Sequence, residues 1–512
     1  MQSQRPFPFL VGFFLLLVAL TFDAGPASAF GGGRKRSNNG GGGGNPAPRY
    51  MACPGVGSVA VNGNYQNDAN GAYCMVRNQH ANGYNFMVEG QHRYLADPTI
   101  VKVADYYYVT GTTDELQNHN YWIYRSRDLV NWERHRRAFD PAIFQGQSYC
   151  NLWAPHLFTS PASPSQIFIS FTATQSGTQN ICARSDSYHF ISVYGASMPI
   201  AQFTAGTGYF GAPQKYGYSW QGTARYDGGV AAGRPIPGSA DMSNVGGAPG
   251  QTRIDQGLPC IIAGGDVGCA GTFALDSFVY VDPTTNQNQN RLRMLYTWHG
   301  LRQGLWAGNN IATHRMANEL MMDTRTQSSS TLKDLAYQVN TWNKIDGRYL
   351  NGSFGNQGGC EGENCGGVAE GPAAFHRDGR HYLVFSRNPF DGPAYGLFYR
   401  MTSRGQSFDT LFLNHWRNET IREHVLAVSH DRETPRGVSF GHGDVFQGPT
   451  VAGGSVQFYV ILHMKEENSY NRIPFFKELT FRSDGTIEPL SNDPNADYKH
   501  SLMWFRIPRP RG

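Results

Sequence analysis

Three acidic residues, far apart in the chain, each stand at the head of an apolar run of β character. They are Asp97 in ADPTIVKVADYYYVTGT, Asp276 in ALDSFVYVDP and Glu370 in AEGPAAFHRDGRHYLVFS. Two further runs of the same kind open on Trp153 in LWAPHLF and on His442 in GHGDVFQGPTVAGGSVQFYVILH. One acid before a strand is ordinarily a turn or cap residue, because its carboxylate bonds nearby amides. Three at matching places of a repeat call for another reason, since an unpaired acid is costly to bury. The chemistry that uses such a set is hydrolysis of a glycosidic bond: one carboxylate deprotonates a water and another protonates the leaving oxygen. A third supplies the like-charge field that raises the donor's pKa. No cofactor is required for that chemistry.

The elements that must hold these residues repeat. Each of the five segments reads as a polar or aromatic residue, usually Pro or Gly, an apolar strand, a turn, and a second strand ending in small or hydroxyl residues. More strands follow most of them, such as NYWIYRSRDLVNWERH after the first. Five repeats of about four strands predict an all-β protein, a five-bladed β-propeller. A β-sandwich is the arrangement that strand counts leave open. In a propeller the innermost strands line the central channel, so Asp97, Asp276 and Glu370 would meet at one end of it, with Trp153 offering a face for a sugar to stack on. The clearest helix-like patch, Ser330 to Tyr337, is short. Between the second and third repeats, a Gly- and Pro-rich segment at about 204–271 reads as a long insertion that could wall a cleft, with Cys260 and Cys269 closing it.

The N-terminus indicates export. Arg5 precedes an apolar run from Phe9 to Phe22, and Ala27-Ser28-Ala29 fits a signal-peptide cleavage site, giving a signal at 1–29, a Gly-rich disordered linker at 30–49 and a catalytic propeller at 50–512. The expected location is secreted, extracellular or periplasmic. No later run is long enough to span a membrane. A formal charge of +4 with scattered Lys and Arg gives no footprint for nucleic acid, while 13% aromatic and 16% charged residues suit a β-rich carbohydrate-active chain. Eight cysteines in an exported protein suggest disulfides, most economically 53 with 74, 150 with 182, 260 with 269 and 360 with 365. Asn351-Gly352-Ser353 and Asn418-Glu419-Thr420 are glycosylation sequons.

The ordered motifs ADPTIVKVADYYYVTGTTD with SRDLVNW, LWAP, LDSFVYVD, AEGPAAFHRDGRHYLVFS and GHGDVF resemble those of glycoside hydrolase family 43 and its close relatives, over roughly Tyr94 to Phe481. The resemblance implies an inverting enzyme on a five-bladed propeller, acting on arabinose-, xylose- or galactose-containing polysaccharides or oligosaccharides. It implies Asp97 as general base, Asp276 as pKa modulator and orienter, and Glu370 as general acid. His442 matches an axial histidine that in many members helps hold a structural calcium, directly or through water. The chain departs from the pattern at Ser277, where Pro is frequent, in the longer turn PTTNQNQN, and in the 204–271 insertion.

Two other readings fit the same residues: a glycan-binding propeller without catalysis, and a hydrolase of a neighbouring propeller family acting on algal galactans. Asn492-Asp493-Pro494-Asn495 looks like the nucleophile motif of retaining propeller hydrolases but follows the last strand and reads as a turn. GLPCIIAGGDVGCAG lacks the GK[ST] of a phosphate loop.

Overall fold

Strands recur every few residues along the computed structural model, which describes residues 73–508 with several internal segments left out, the longest being 217–271, 323–336, 340–368 and 412–422. The described residues belong to one unit, Arg49–Gly512. Five antiparallel sheets follow one another. Blade 1 runs through Ala96–Val103, Tyr106–Thr112, Trp122–Ser126 and Glu133–Arg137. Blade 2 uses Tyr149–Thr159, Gln166–Gln175, Ser192–Pro199 and Gln214–Lys215, and blade 3 Thr272–Val281, Leu292–Gly300 and Gly308–Asn318. Blade 4 comprises Ala369–Arg377, Arg380–Arg387, Gly396–Met401 and Glu423–Val428, and blade 5 Ser439–Gln447, Phe458–Lys465 and Arg472–Glu478.

The first strand of each blade packs against the first strands of its two neighbours, and blade 5 returns to blade 1. That closed ring is the expected five-bladed propeller. Tight turns set the hairpin registers. In blade 4 Arg377 pairs with Arg380 across Asp378-Gly379, both at positive φ, as a two-residue Asp-Gly hairpin requires. In blade 1 Val103 pairs with Tyr106, with the left-handed Ala104 between them.

The core lies between blades. Blades 4 and 5 share Phe375, Tyr382, Val384, Val460 and Leu462, while blades 1 and 2 share Tyr108, Ile123, Ile167 and Phe171. Each fully buried aliphatic or aromatic side chain contributes roughly 1.5–3 kcal/mol. The strand Tyr73–Arg77 pairs with Trp504–Pro508, and this ribbon flanks blade 5. The buried Asn78 fastens it, donating to Phe476 O and Leu502 O at 2.7 Å and accepting from Phe476 N at 3.1 Å.

Cys150 and Cys182 form the expected disulfide. The other three pairs involve positions outside the described residues. The start of the expected insertion contains a short helix, Ile200–Ala205, and the outermost strand of blade 2, Gln214–Lys215; 217–271 lie outside the description. Of the helix-like patch, Tyr337 begins a short strand, Tyr337–Val339, and the rest lies outside the described residues. Among the described residues no helix is long and apolar enough to cross a membrane.

Candidate active site

Every first strand breaks register at its start, through a bulge between Ala96 and Thr99, Trp153 and His156, Leu275 and Phe278, Glu370 and Ala373, and Gly441 and Gly443. Each bulge holds one left-handed residue: Asp97 (φ 48°), Ala154 (41°), Asp276 (53°), Gly371 (58°) and His442 (34°). Bulges of this kind re-aim side chains beside functional sites. Pro follows the left-handed residue in three blades, at Pro98, Pro155 and Pro372, where its missing N–H suits an interrupted ladder. In blade 3 the position is Ser277, whose hydroxyl lies 3.0 Å from that of Ser170.

The five predicted strand starts are therefore equivalent to within one residue. Asp97, Asp276 and His442 occupy the left-handed position, whereas Trp153 and Glu370 precede it. A second periodic feature fixes the bulges to one another. The amides of Ala154, Asp276, Gly371 and His442 donate to Thr112, Thr172, Thr297 and Ser386, at 2.7, 2.9, 3.3 and 2.6 Å, each acceptor lying on the second strand of the preceding blade. The amide of Asp97 closes the ring on His463 Nδ1 at 3.1 Å.

Asp97 is 8% exposed and surrounded by donors. Thr112 Oγ1 reaches Oδ2 at 2.7 Å, while His442 Nδ1 and Arg472 Nη1 reach Oδ1 at 3.1 and 3.3 Å. Burial opposes its charge, but Arg472 and His442 prevail and hold its pKa well below the ordinary carboxylate range. For His442 burial again opposes charge, and Asp97, followed by Asp276 and Glu370, outweighs it and lifts the imidazole to about 9. Asp276, 7% exposed, accepts from Gly371 N at 3.2 Å and Thr297 Oγ1 at 3.3 Å. Burial, reinforced by Asp97 and opposed by His442, raises it to about 6.

Glu370 is half-buried, next to the amide that Asp276 holds, and its charge acts on His442 and Tyr395. Trp153, also half-buried, precedes the Ala154 amide that binds Thr112. The structure thus gathers Asp97, Asp276, Glu370 and His442 at adjoining strand starts, with Trp153 at the corresponding place in blade 2.

The sequence model described as Glycosyl hydrolases family 43 matches residues 91–204, which hold blade 1 and most of blade 2. Over that stretch the chain is similar to the glycoside hydrolases of family 43. Solved structures similar to this chain include a thermostable family-43 glycoside hydrolase (15% identity, 81% of this chain and 98% of that one, TM-score 0.44). Another is an α-L-arabinofuranosidase from Lactobacillus brevis (15% identity, 79% and 97%, TM-score 0.45), and a third an endo-1,4-β-xylanase from Bacteroides thetaiotaomicron (15%, 82% and 97%, TM-score 0.43). Comparison with curated proteins gives no match.

Arg472, His463 and the hydroxyl ring are the parts of the site that sequence reasoning did not single out. The hydroxyls were visible as the recurring ends of second strands, and His463 ends the fifth of these. Arg472 has no such signal. With Nδ1 engaged by Asp97, His442 would hold a calcium ion or its water shell through Nε2, the carboxylate then orienting the ring. Among the described residues no group of three His, Cys, Asp or Glu side chains is arranged to hold a metal.

Proposed function

We propose that the protein is a secreted, inverting glycosidase that cleaves arabinose-, xylose- or galactose-containing polysaccharides or oligosaccharides. The observation that supports this most strongly is the meeting of three acids from three blades around the His442–Asp97 contact, with the acids in unlike environments. Asp97, ionised through the working pH range, is the base: Oδ2 accepts a proton from a water whose oxygen attacks the anomeric carbon. Glu370 delivers a proton to the leaving oxygen as the glycosidic bond breaks. Asp276 holds the Gly371 amide, orients Glu370 and tunes its proton affinity through like charge. The substrate class follows the family resemblance, and export follows the apolar N-terminal run with its small-residue cleavage site.

The test is release of reducing sugar from arabinan, arabinoxylan, galactan and algal galactans, comparing wild type with Asp97→Asn and Glu370→Gln. Both variants should lose orders of magnitude in rate. On dinitrophenyl glycosides, whose leaving group needs no proton, Glu370→Gln should recover and Asp97→Asn should not. Proton NMR of the first product should show the inverted anomer. A retained anomer, or an Asp97→Asn enzyme of undiminished rate, would overturn the assignment. Binding without release by wild type on every substrate would favour a glycan-binding propeller, and release from algal galactans alone the neighbouring hydrolase class.

A further inference from the structure

Four of the five amides in the ring between blades are held by a hydroxyl, and one is held by an imidazole. The exception is at Asp97. Thr112 and Thr297 show what a hydroxyl does in this position: each accepts an amide proton from the next blade and turns its own proton onto the carboxylate of its own blade, Asp97 Oδ2 and Asp276 Oδ2. At the junction of blades 5 and 1 the own-blade residue is His442 rather than an acid, and the accepting atom lies 3.5 Å from Asp97 Oδ1, where His442 and Arg472 already donate, so a hydroxyl in its place would bring a further donor close to that oxygen. Another donor there would weaken Asp97 as a base.

We infer that His463 is a positioning residue for Asp97: a neutral imidazole, protonated on Nε2, accepts the Asp97 amide at Nδ1 and fixes the left-handed backbone without adding a donor to the carboxylate. Several observations support it. The ring is fully buried, stacks on Tyr395 at 5.8 Å and sits 3.1 Å from the Asp97 amide nitrogen. The groups facing it are Asp97, Arg472, His442 and Tyr395. Burial and the cations Arg472 and His442 hold the ring's pKa well below its ordinary value, against the pull of Asp97. Nδ1 lies 3.5 Å from Asp97 Oδ1, farther than it lies from the amide. Nε2 has no partner among the described residues, so nothing there competes for the tautomer.

The inference rests on Asp97 being the base, and its test has one arm that does not. In histidine-labelled protein, long-range proton–nitrogen NMR should show His463 as a neutral Nε2–H imidazole down to pH 5, in wild type and in Asp97→Asn. A charged ring at pH 6, or an Nδ1–H tautomer, would overturn the inference whatever Asp97 does. The second arm is kinetic, on whichever polysaccharide wild type cleaves. His463→Asn, which can present an amide oxygen near the Nδ1 position, should keep most of kcat, whereas His463→Leu should lose about 10- to 100-fold in kcat with KM little changed, the loss expected for a small displacement of a reacting group. His463→Thr should retain the backbone contact but move the acid limb of the kcat/KM profile to lower pH. If His463→Asn and His463→Leu both match wild type while Asp97→Asn is inactive, this inference fails and the proposed function stands. If Asp97→Asn retains full rate, it is the proposed function that fails.

Discussion

The charge on His442 makes the stability of the propeller depend on pH in the alkaline range. Replacing His442 by Gln removes that charge while leaving a side chain able to donate toward Asp97 Oδ1, which lies 3.1 Å from Nδ1 in the wild type. The folded protein lifts the imidazole from its ordinary 6.5 to about 9. At about 1.4 kcal/mol for each pH step, this is worth about 3 kcal/mol. Because the folded value is the higher one, the contribution is complete below about pH 6.5 and is lost as pH rises through about 9. Asp97 behaves in the opposite way: its lowered pKa contributes above its ordinary 3.8 and fades as the solution becomes acidic. Asp276 and Asp444, raised to about 6 and about 7, finish most of their titration before the His442 arm is complete, and comparison with the variant removes their common part. Denaturant unfolding at pH 6.5 and pH 9 should therefore show wild type losing about 3 kcal/mol more than His442→Gln over that interval. Equal losses in the two proteins would mean that His442 is neutral in the folded state and that the charge balance assigned to the site is wrong.

Gly371→Ala should damage the site from its backbone: a Cβ at φ 58° would lie 2.6–2.9 Å from the His442 ring. The left-handed strain is about 1–2 kcal/mol, and pushing the ring from Asp97 should lower kcat/KM at least about 10-fold; both are read from an unfolding curve and initial rates. Asp444, raised by burial to about 7, accepts from Ile100 N and Thr99 Oγ1 across the junction of blades 5 and 1. With the folded value above the ordinary 3.8, wild type loses stability as pH rises from about 4 to about 7, by up to about 4 kcal/mol in all. Asp444→Asn, free of that loss, should gain on wild type between pH 5 and pH 8.5 in denaturant titrations. Asn78→Ala removes three buried hydrogen bonds, two to Phe476 of blade 5 and one to Leu502 O ahead of the ribbon's second strand, and should cost about 3 kcal/mol, measured by the same unfolding assay.

Much of this architecture could be read locally. The β-branched and aromatic runs and the hydroxyl ends of the second strands are periodic features, and each survives in the structure with its local reason intact. What escaped sequence reading depends on closure of the ring. Arg472 begins the third strand of blade 5 and reaches Asp97 only because blade 5 lies beside blade 1. The ribbon joining Tyr73–Arg77 to Trp504–Pro508 is likewise a pairing of distant segments. The helix Ile200–Ala205 is too short to show an amphipathic period and is capped by the left-handed Gly206 rather than by a side chain at its start. The one-residue offset of Trp153 and Glu370 was hidden because aligning strand starts by polarity cannot locate a left-handed backbone position.

Under the proposed mechanism, that offset bears on how the acids would divide their work. Asp97 and Asp276 occupy the strained position themselves, and both are nearly buried, Asp97 held by the Thr112 hydroxyl, His442 and Arg472 and Asp276 by the Gly371 amide and Thr297 hydroxyl. Blade 4 gives the strained position to Gly371, which carries no side chain, and places its acid one residue earlier. Glu370 therefore keeps an unstrained backbone, a longer side chain and partial exposure. A base that takes a proton from one bound water gains from immobility, whereas a donor must meet a leaving oxygen, lose its proton and be recharged from solvent in every turnover. The glycine at 371 separates these demands: its amide anchors Asp276, its bare Cα admits the His442 ring, and the acid beside it remains accessible. Exchanging the two residues, as Glu370→Gly with Gly371→Glu, would keep composition while moving the carboxyl onto the strained position against His442. It should abolish turnover even on substrates that Glu370→Gln still cleaves.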